Sequence, residues 1–298
     1  MFFGPHLGFF QEVLLIKECT MNGILGPRSL LDILAETFEI YKRNPIRLLA
    51  IVAIVEIGLG FMWSIPDFSG LRPSTPEGGT ESLTHIIPIG ILLAVASIMG
   101  LSLMQGALIH AISEQYLRQS INIGRAFRFA WERLAALASA MILALFAITG
   151  IAVVSISFTV SISRDVGYIF IAAGFCVGLY LMVRWSFILQ VALLEGLGPL
   201  AALSRSSALV QRNWWRVMNM TIIVGIISVG ISMILGTIPT IGPTLGSILS
   251  TPVFAIGITL LYYDLRVRKE AYTLGVLAGE LHMSGFLDDT ESNQFPMH

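Results

Sequence analysis

The chain has 298 residues, 55% of them hydrophobic and 12% charged, with a net charge of -1 and a mean hydropathy of +0.80. Soluble domains carry about 25% charged residues, so a soluble enzyme is excluded, and 18 Lys+Arg against 19 Asp+Glu excludes a nucleic-acid binder. The cysteines Cys19 and Cys176 are too few for a disulfide framework or a thiolate zinc site.

Residues 1–24 read as an N-terminal tail. No basic stretch precedes its short apolar runs, so no cleavable signal is expected. Translation from Met21 and a short disordered or interfacial tail both stay open. A six-span membrane domain follows over residues 25–272. Its first element, Ser29 to Arg47, places Leu30, Ile33, Leu34, Thr37, Phe38 and Tyr41 on one helical face and Asp32, Glu36, Glu39 and Arg43 on another. Ser29 with Asp32 reads as a capping box.

A span needs about 20 apolar residues to cross roughly 30 Å of hydrocarbon. Residues 48–65 supply the first, interrupted by Glu56, and residues 86–109 the second. Asn122 caps a second amphipathic helix reaching Arg133, with Ile123, Phe127, Ala130 and Leu134 on one face. Spans three and four occupy residues 134–158 and 166–190. Pro199 after Gly198 starts a third amphipathic helix, aligning Leu200, Leu203, Ser207, Val210 and Trp214. The uncharged run from Val217 is too long for one helix, and Pro239 with Gly242-Pro243 divides it into spans at 217–235 and 245–263. Residues 273–298 read as a cytoplasmic tail.

The expected fold class is therefore all-α: a polytopic membrane protein of six transmembrane helices and three cytoplasmic-side amphipathic helices. The order of amphipathic helix, basic junction and two spans recurs three times, closing each time on an acid: Glu114, Glu195 and Asp264. Arg43-Asn44-x-x-Arg47 and Arg212-Asn213-x-x-Arg216 share a pattern at two junctions. A threefold internal repeat is the inference. Of the 18 basic residues, all but Arg72, Arg164 and Arg184 fall before span one, after span six, or between spans two and three or four and five. Positive residues stay inside, so both termini are expected in the cytoplasm. Trp131, Trp185, Trp214 and Trp215 near the same boundary agree.

Charges inside spans are the functional candidates. An ionised carboxylate at the position of Glu56 costs about 2.5–3.5 kcal/mol and needs a partner, a proton or a wet cavity. A proton-coupled site and a carboxyl hydrogen-bonded to a neighbouring helix both answer to that. Arg184 stands near the cytoplasmic boundary beside Trp185, where it snorkels or pairs with Glu56 or a lipid phosphate. His110 ends span two, and the ordinary histidine pKa lies near neutrality. The basic helices and junctions offer Arg43, Arg47, Arg125, Arg128, Arg205, Arg212 and Arg216 to anionic lipid headgroups, at about 1 kcal/mol per well-placed residue.

Gly174-x-x-x-Gly178 permits close helix packing, and Ser204, Ser206 and Ser207 have no visible base partner, which leaves a hydroxyl-rich helix surface. H-E-x-x-H, C-x-x-C and phosphate-loop motifs are absent from the sequence, so neither an enzyme nor a bound cofactor is expected.

The block from Arg184-Trp185 through Leu194-Glu195-Gly196-Leu197-Gly198-Pro199 to Trp214-Trp215-Arg216, with the ending Tyr262-Tyr263-Asp264-Leu265-Arg266, resembles the glycerophosphoryl diester phosphodiesterase membrane domain family. The resemblance covers roughly residues 25–272. It implies a bacterial multi-span module of the cytoplasmic membrane, without the soluble phosphodiesterase barrel that some members append, and it carries over no catalytic residues. The function expected is a non-enzymatic module that associates with membrane lipids or scaffolds protein partners the sequence leaves unidentified. The alternative is a small transporter or permease component with Glu56 and Arg184 in its polar path; an enzyme acting on a lipid headgroup ranks third.

Overall fold

The computed structural model describes residues 28–64, 79–117, 120–161, 164–239, 241–270, 276 and 280–281. Every regular element among them is helical, and six helices are long and apolar enough to cross a membrane. They are α2 (Pro45–Ser64), α3 (Gly79–Tyr116), α5 (Leu134–Ser161), α6 (Arg164–Arg184), α8 (Trp214–Gly236) and α9 (Gly242–Glu270). Three shorter helices precede α2, α5 and α8: α1 (Leu30–Arg43), α4 (Ile123–Glu132) and α7 (Pro199–Val210).

The start signals act as the side chains dictate. Ser29 and Asp32 form a reciprocal capping box, and Asn122 accepts from the Arg125 amide. Hydrogen bonds from the Ser29 hydroxyl and amide hold the Asp32 carboxyl below its usual pKa. Pro199 occupies the first turn of α7, where its missing N–H costs no helical bond. The break expected at Pro239 and Gly242 falls between α8 and α9.

The spanning helices pack in a closed ring in chain order, α2–α3–α5–α6–α8–α9, with α9 returning to α2 and also touching α3. The core gathers at the end of the bundle where α3 and α9 finish. There Ile109, Ile112, Phe187, Leu193, Tyr262 and Tyr263 are at most 1% exposed. Of the apolar span in α9, 61% is buried, against 11% in α5, which makes α9 the central helix.

Four expectations change. The second spanning helix does not stop at 109; α3 continues to Tyr116, because His110, Ser113, Glu114 and Gln115 are buried under the short helices. The fourth spanning stretch, Gly167–Glu195, is interrupted. α6 ends at Arg184, a turn covers 185–187, and the chain resumes as Ile188–Gln190 and a π-helical turn Val191–Glu195, stopped by Gly196 at φ 65°. The inward face of α7 is Ala202, Ser206, Leu209 and Val210; Leu200 is 72% exposed. Residues from 273 onward are not all tail, since Leu281 is buried in the core and Glu280 pairs with Arg266 at 2.7 Å. The expectations for residues 1–24, including Met21, and for Arg72 and Arg118 lie outside the described residues.

Candidate functional site at the polar end

The end of the bundle that carries α1, α4 and α7 holds most of the described charge, arranged by contacts across the chain. Glu114, at the end of α3, is fully buried. Its Oε2 accepts the Asn122 amide at 3.1 Å, and Arg125 of α4 reaches Oε1 at 3.1 Å. Glu195 accepts Arg205 Nε of α7 at 2.8 Å and the Tyr262 hydroxyl at 2.9 Å. Asp264 of α9, 1% exposed, accepts the Arg28 amide at 2.8 Å just before α1 begins, with Arg216 Nη2 and Arg268 Nε each at 2.9 Å. Each acid thus receives a donor from the start of a short helix or from a residue within it.

The far end of each short helix is tied to a spanning helix or to the 188–195 segment that follows one. Gln115 of α3 donates to Ile40 O at the end of α1, at 2.8 Å. Arg133, which ends α4, donates to Leu193 O beside Glu195. Lys269 of α9 donates to Ala208 O and Gln211 O at the end of α7, at 2.7 and 2.6 Å. So α1 runs from the end of α9 to that of α3, α4 from α3 to the 188–195 segment, and α7 from that segment back to α9. The three helices make a closed triangular belt.

Arginines at the mouths of α2, α5 and α8 brace it: Arg47 donates to Ile121 O at 3.1 Å, Arg133 acts as above, and Arg216 donates to Arg28 O. At the far ends, Gln115 and Lys269 also satisfy carbonyls in or just after the last turns of α1 and α7 that would otherwise be orphaned.

A second network lies inside the belt. Arg266, 8% exposed, contacts the Tyr262 hydroxyl at 3.2 Å, Glu270 at 3.1 Å and Glu280 at 2.7 Å, and Glu270 also meets Arg205 at 2.5 Å. Tyr263 shares a 2.5 Å hydrogen bond with Ser113 and stacks on Tyr116. Ser206 is not a surface hydroxyl: it donates to Arg184 O at 3.0 Å and accepts the Phe187 amide at 3.2 Å, repairing the helix break.

The sequence-derived candidates are not drawn into one place. Glu56 of α2 accepts the Ser247 hydroxyl of α9 at 2.5 Å. Arg184 donates to the Tyr180 hydroxyl at 3.0 Å and stands over its ring. His110, 1% exposed, packs on Phe129 with Nδ1 3.8 Å from Glu114 Oε1; neither ring nitrogen has a hydrogen-bond partner among the described residues. Of the seven proposed lipid-contacting arginines, Arg47, Arg125, Arg205 and Arg216 brace the belt. Arg43 pairs with Glu39 and Arg128 with Glu132 on the exposed surface.

Arg212 sits in the left-handed region at φ 71°, in the capping position after α7 where glycine is usual. It lines an open cleft of about 830 Å³ with Gln211, Asn213, Val267, Arg268 and Lys269. Gly174 lies against Ser155 of α5 without room for a Cβ, whereas Gly178 faces open space. Cys176 is exposed.

Sequence reasoning marked Glu114, Glu195 and Asp264 as repeat punctuation but missed them as the anchors of the belt. Their recurrence at the ends of successive helix pairs was the available signal. Among the described residues, no cluster of His, Cys, Asp and Glu is arranged to hold a metal ion.

An apolar six-helix bundle crowned by a belt of short helices defines a multi-pass membrane protein. Within that class the chain belongs to the family described as Domain of unknown function (DUF7847), whose model matches residues 29–262. That match spans the structure from the α1 cap to Tyr262 and names no phosphodiesterase membrane domain. No curated protein and no solved structure matches the chain.

Proposed function

We propose that the protein is a non-enzymatic module of the bacterial cytoplasmic membrane that associates with anionic lipid and scaffolds the bilayer surface, with the belt and both termini in the cytoplasm. The observation that carries this reading is the Ser247–Glu56 hydrogen bond. It gives the carboxyl deep in α2 a hydrogen-bonding partner on an adjacent helix.

In the same reading the unit of short helix plus two spans is used three times. Support comes from the three acid anchors, the three cross-belt ties and the arginine braces at Arg47, Arg133 and Arg216. Kinship with the glycerophosphoryl diester phosphodiesterase membrane domain belongs to it too, on residues 184–216 and 261–270. Because the belt engages Arg47, Arg125, Arg205 and Arg216, lipid attraction falls to the outermost arginines: Arg43, Arg128 and Arg212.

A permease would need Glu56 and Arg184 in one path; among the described residues Glu56 is held between α2 and α9, and Arg184 bonds to Tyr180 on α6. Proteoliposomes carrying wild type or Glu56→Gln test the choice. Neither should raise proton-linked uptake above protein-free liposomes, and uptake by wild type that Glu56→Gln abolishes would overturn the scaffold reading.

A further inference from the structure

Among neighbouring pairs in the ring, α6 and α8 touch least. An apolar cavity of about 800 Å³ occupies this seam, walled behind by Ala144 and Ile148 of α5 and by Phe254 and Ile258 of α9. On α8 the lining runs from Thr221 to Met233, about 18 Å at helical rise. Gly225 and Gly230 lie along it and have nothing near the position a Cβ would take, so two missing side chains help to make the space.

The polar-end mouth of the seam is different. Trp185 and Ser186 line it directly after Arg184. Arg184 has the Tyr180 hydroxyl and ring as its described partners and no carboxylate, and Tyr180 stacks across the seam on Trp214, ring centroids 6.1 Å apart. The Trp214 indole nitrogen and the Thr221 hydroxyl are buried without hydrogen-bond partners among the described residues. Buried donors of this kind normally have an acceptor, and apolar space walled by side chains loses contact energy when it is not filled.

We infer that this seam is a binding site for one anionic phospholipid of the bilayer, with an acyl chain in the cavity and the headgroup phosphate on the Arg184 guanidinium. A chain is the shape that a long apolar slot between helices admits, and hydrocarbon is what surrounds the slot at that depth. The guanidinium without a carboxylate selects negative charge and matches phosphate with its forked donors. The site rests on the lipid-associating reading and gives it an address distinct from the surface arginines.

The test uses the full chain in nanodiscs of phosphatidylcholine doped with phosphatidylglycerol carrying brominated chains. Quenching of tryptophan fluorescence reads occupancy, because Trp185 lines the cavity at its polar end. Wild type should quench saturably. Arg184→Gln should bind about fivefold more weakly, the equivalent of one basic residue. Gly230→Leu, which fills open space and is checked for an unchanged melting temperature, should lose saturable quenching. Quenching in both variants indistinguishable from wild type overturns the site.

Salt-sensitive enrichment of phosphatidylglycerol in co-purified lipid, compared between wild type and Arg128→Gln, reads the surface arginines separately. Enrichment together with a site-blind Gly230→Leu overturns the seam alone. Saturable quenching without enrichment overturns the surface attraction alone, and loss of both overturns the lipid-associating reading.

Discussion

The two ends of the bundle are built on different physics. At the polar end, Glu114, Asp264 and Arg266 are buried with Tyr262, Tyr263 and Phe187, as in the core of a soluble protein. In the opposite half, Phe146, Phe175, Met233 and Ile234 are each at least 70% exposed, and close contacts come from small residues: Gly174 on Ser155, Gly246 on Ser232. Exposed apolar side chains cost nothing against hydrocarbon, so packing there rests on van der Waals fit. At the polar end the hydrophobic effect and charge pairing both act. The difference teaches that the belt, and not the membrane-embedded half, specifies how the spans are arranged.

The largest expected effect is therefore at the belt. Asp264→Ala leaves Arg216, Arg268 and the Arg28 amide without their shared acceptor, and removing one member of a buried pair costs about 3–5 kcal/mol; thermal unfolding in detergent should read a loss of that size. Gly246→Leu tests the other half. A Cβ there meets the Ser232 backbone, which is tighter than ordinary packing, and overpacking costs about 1–3 kcal/mol. A smaller loss than that of Asp264→Ala sharpens the contrast, whereas a larger one would reverse it. Smallest is Phe175→Ala: the side chain is 70% exposed, and a change within about 0.5 kcal/mol is expected by the same melt.

Much of the architecture was legible because its causes are local. Six apolar stretches, the caps at Ser29 and Asn122, Pro199, and the Pro239 break each act over a few residues. What was not legible depends on partners far along the chain. Arg216 reads as a surface cation until Asp264 meets it from 48 residues away, and Arg28 is joined to the same carboxylate across 236 residues. The break after Arg184 occurs in Arg-Trp-Ser-Phe, which contains no proline or glycine; the buried Ser206 that repairs it also shifted the face expected for α7. A hydroxyl at a core position defeats an apolar-periodicity argument. Glu280 and Leu281 dock for the same kind of reason, since only the core waiting for them distinguishes that segment from a tail.

The central claim is that the acid–arginine anchors of the belt hold the spans together. A double-mutant cycle on Asp264 and Arg216, with Asp264→Ala, Arg216→Met and the double variant unfolded in one detergent, tests it most directly. The account predicts a coupling above about 1 kcal/mol, because the Arg216–Asp264 contact at 2.9 Å joins a guanidinium to a carboxylate that is 1% exposed. Single effects that add to within about 0.3 kcal/mol would contradict it.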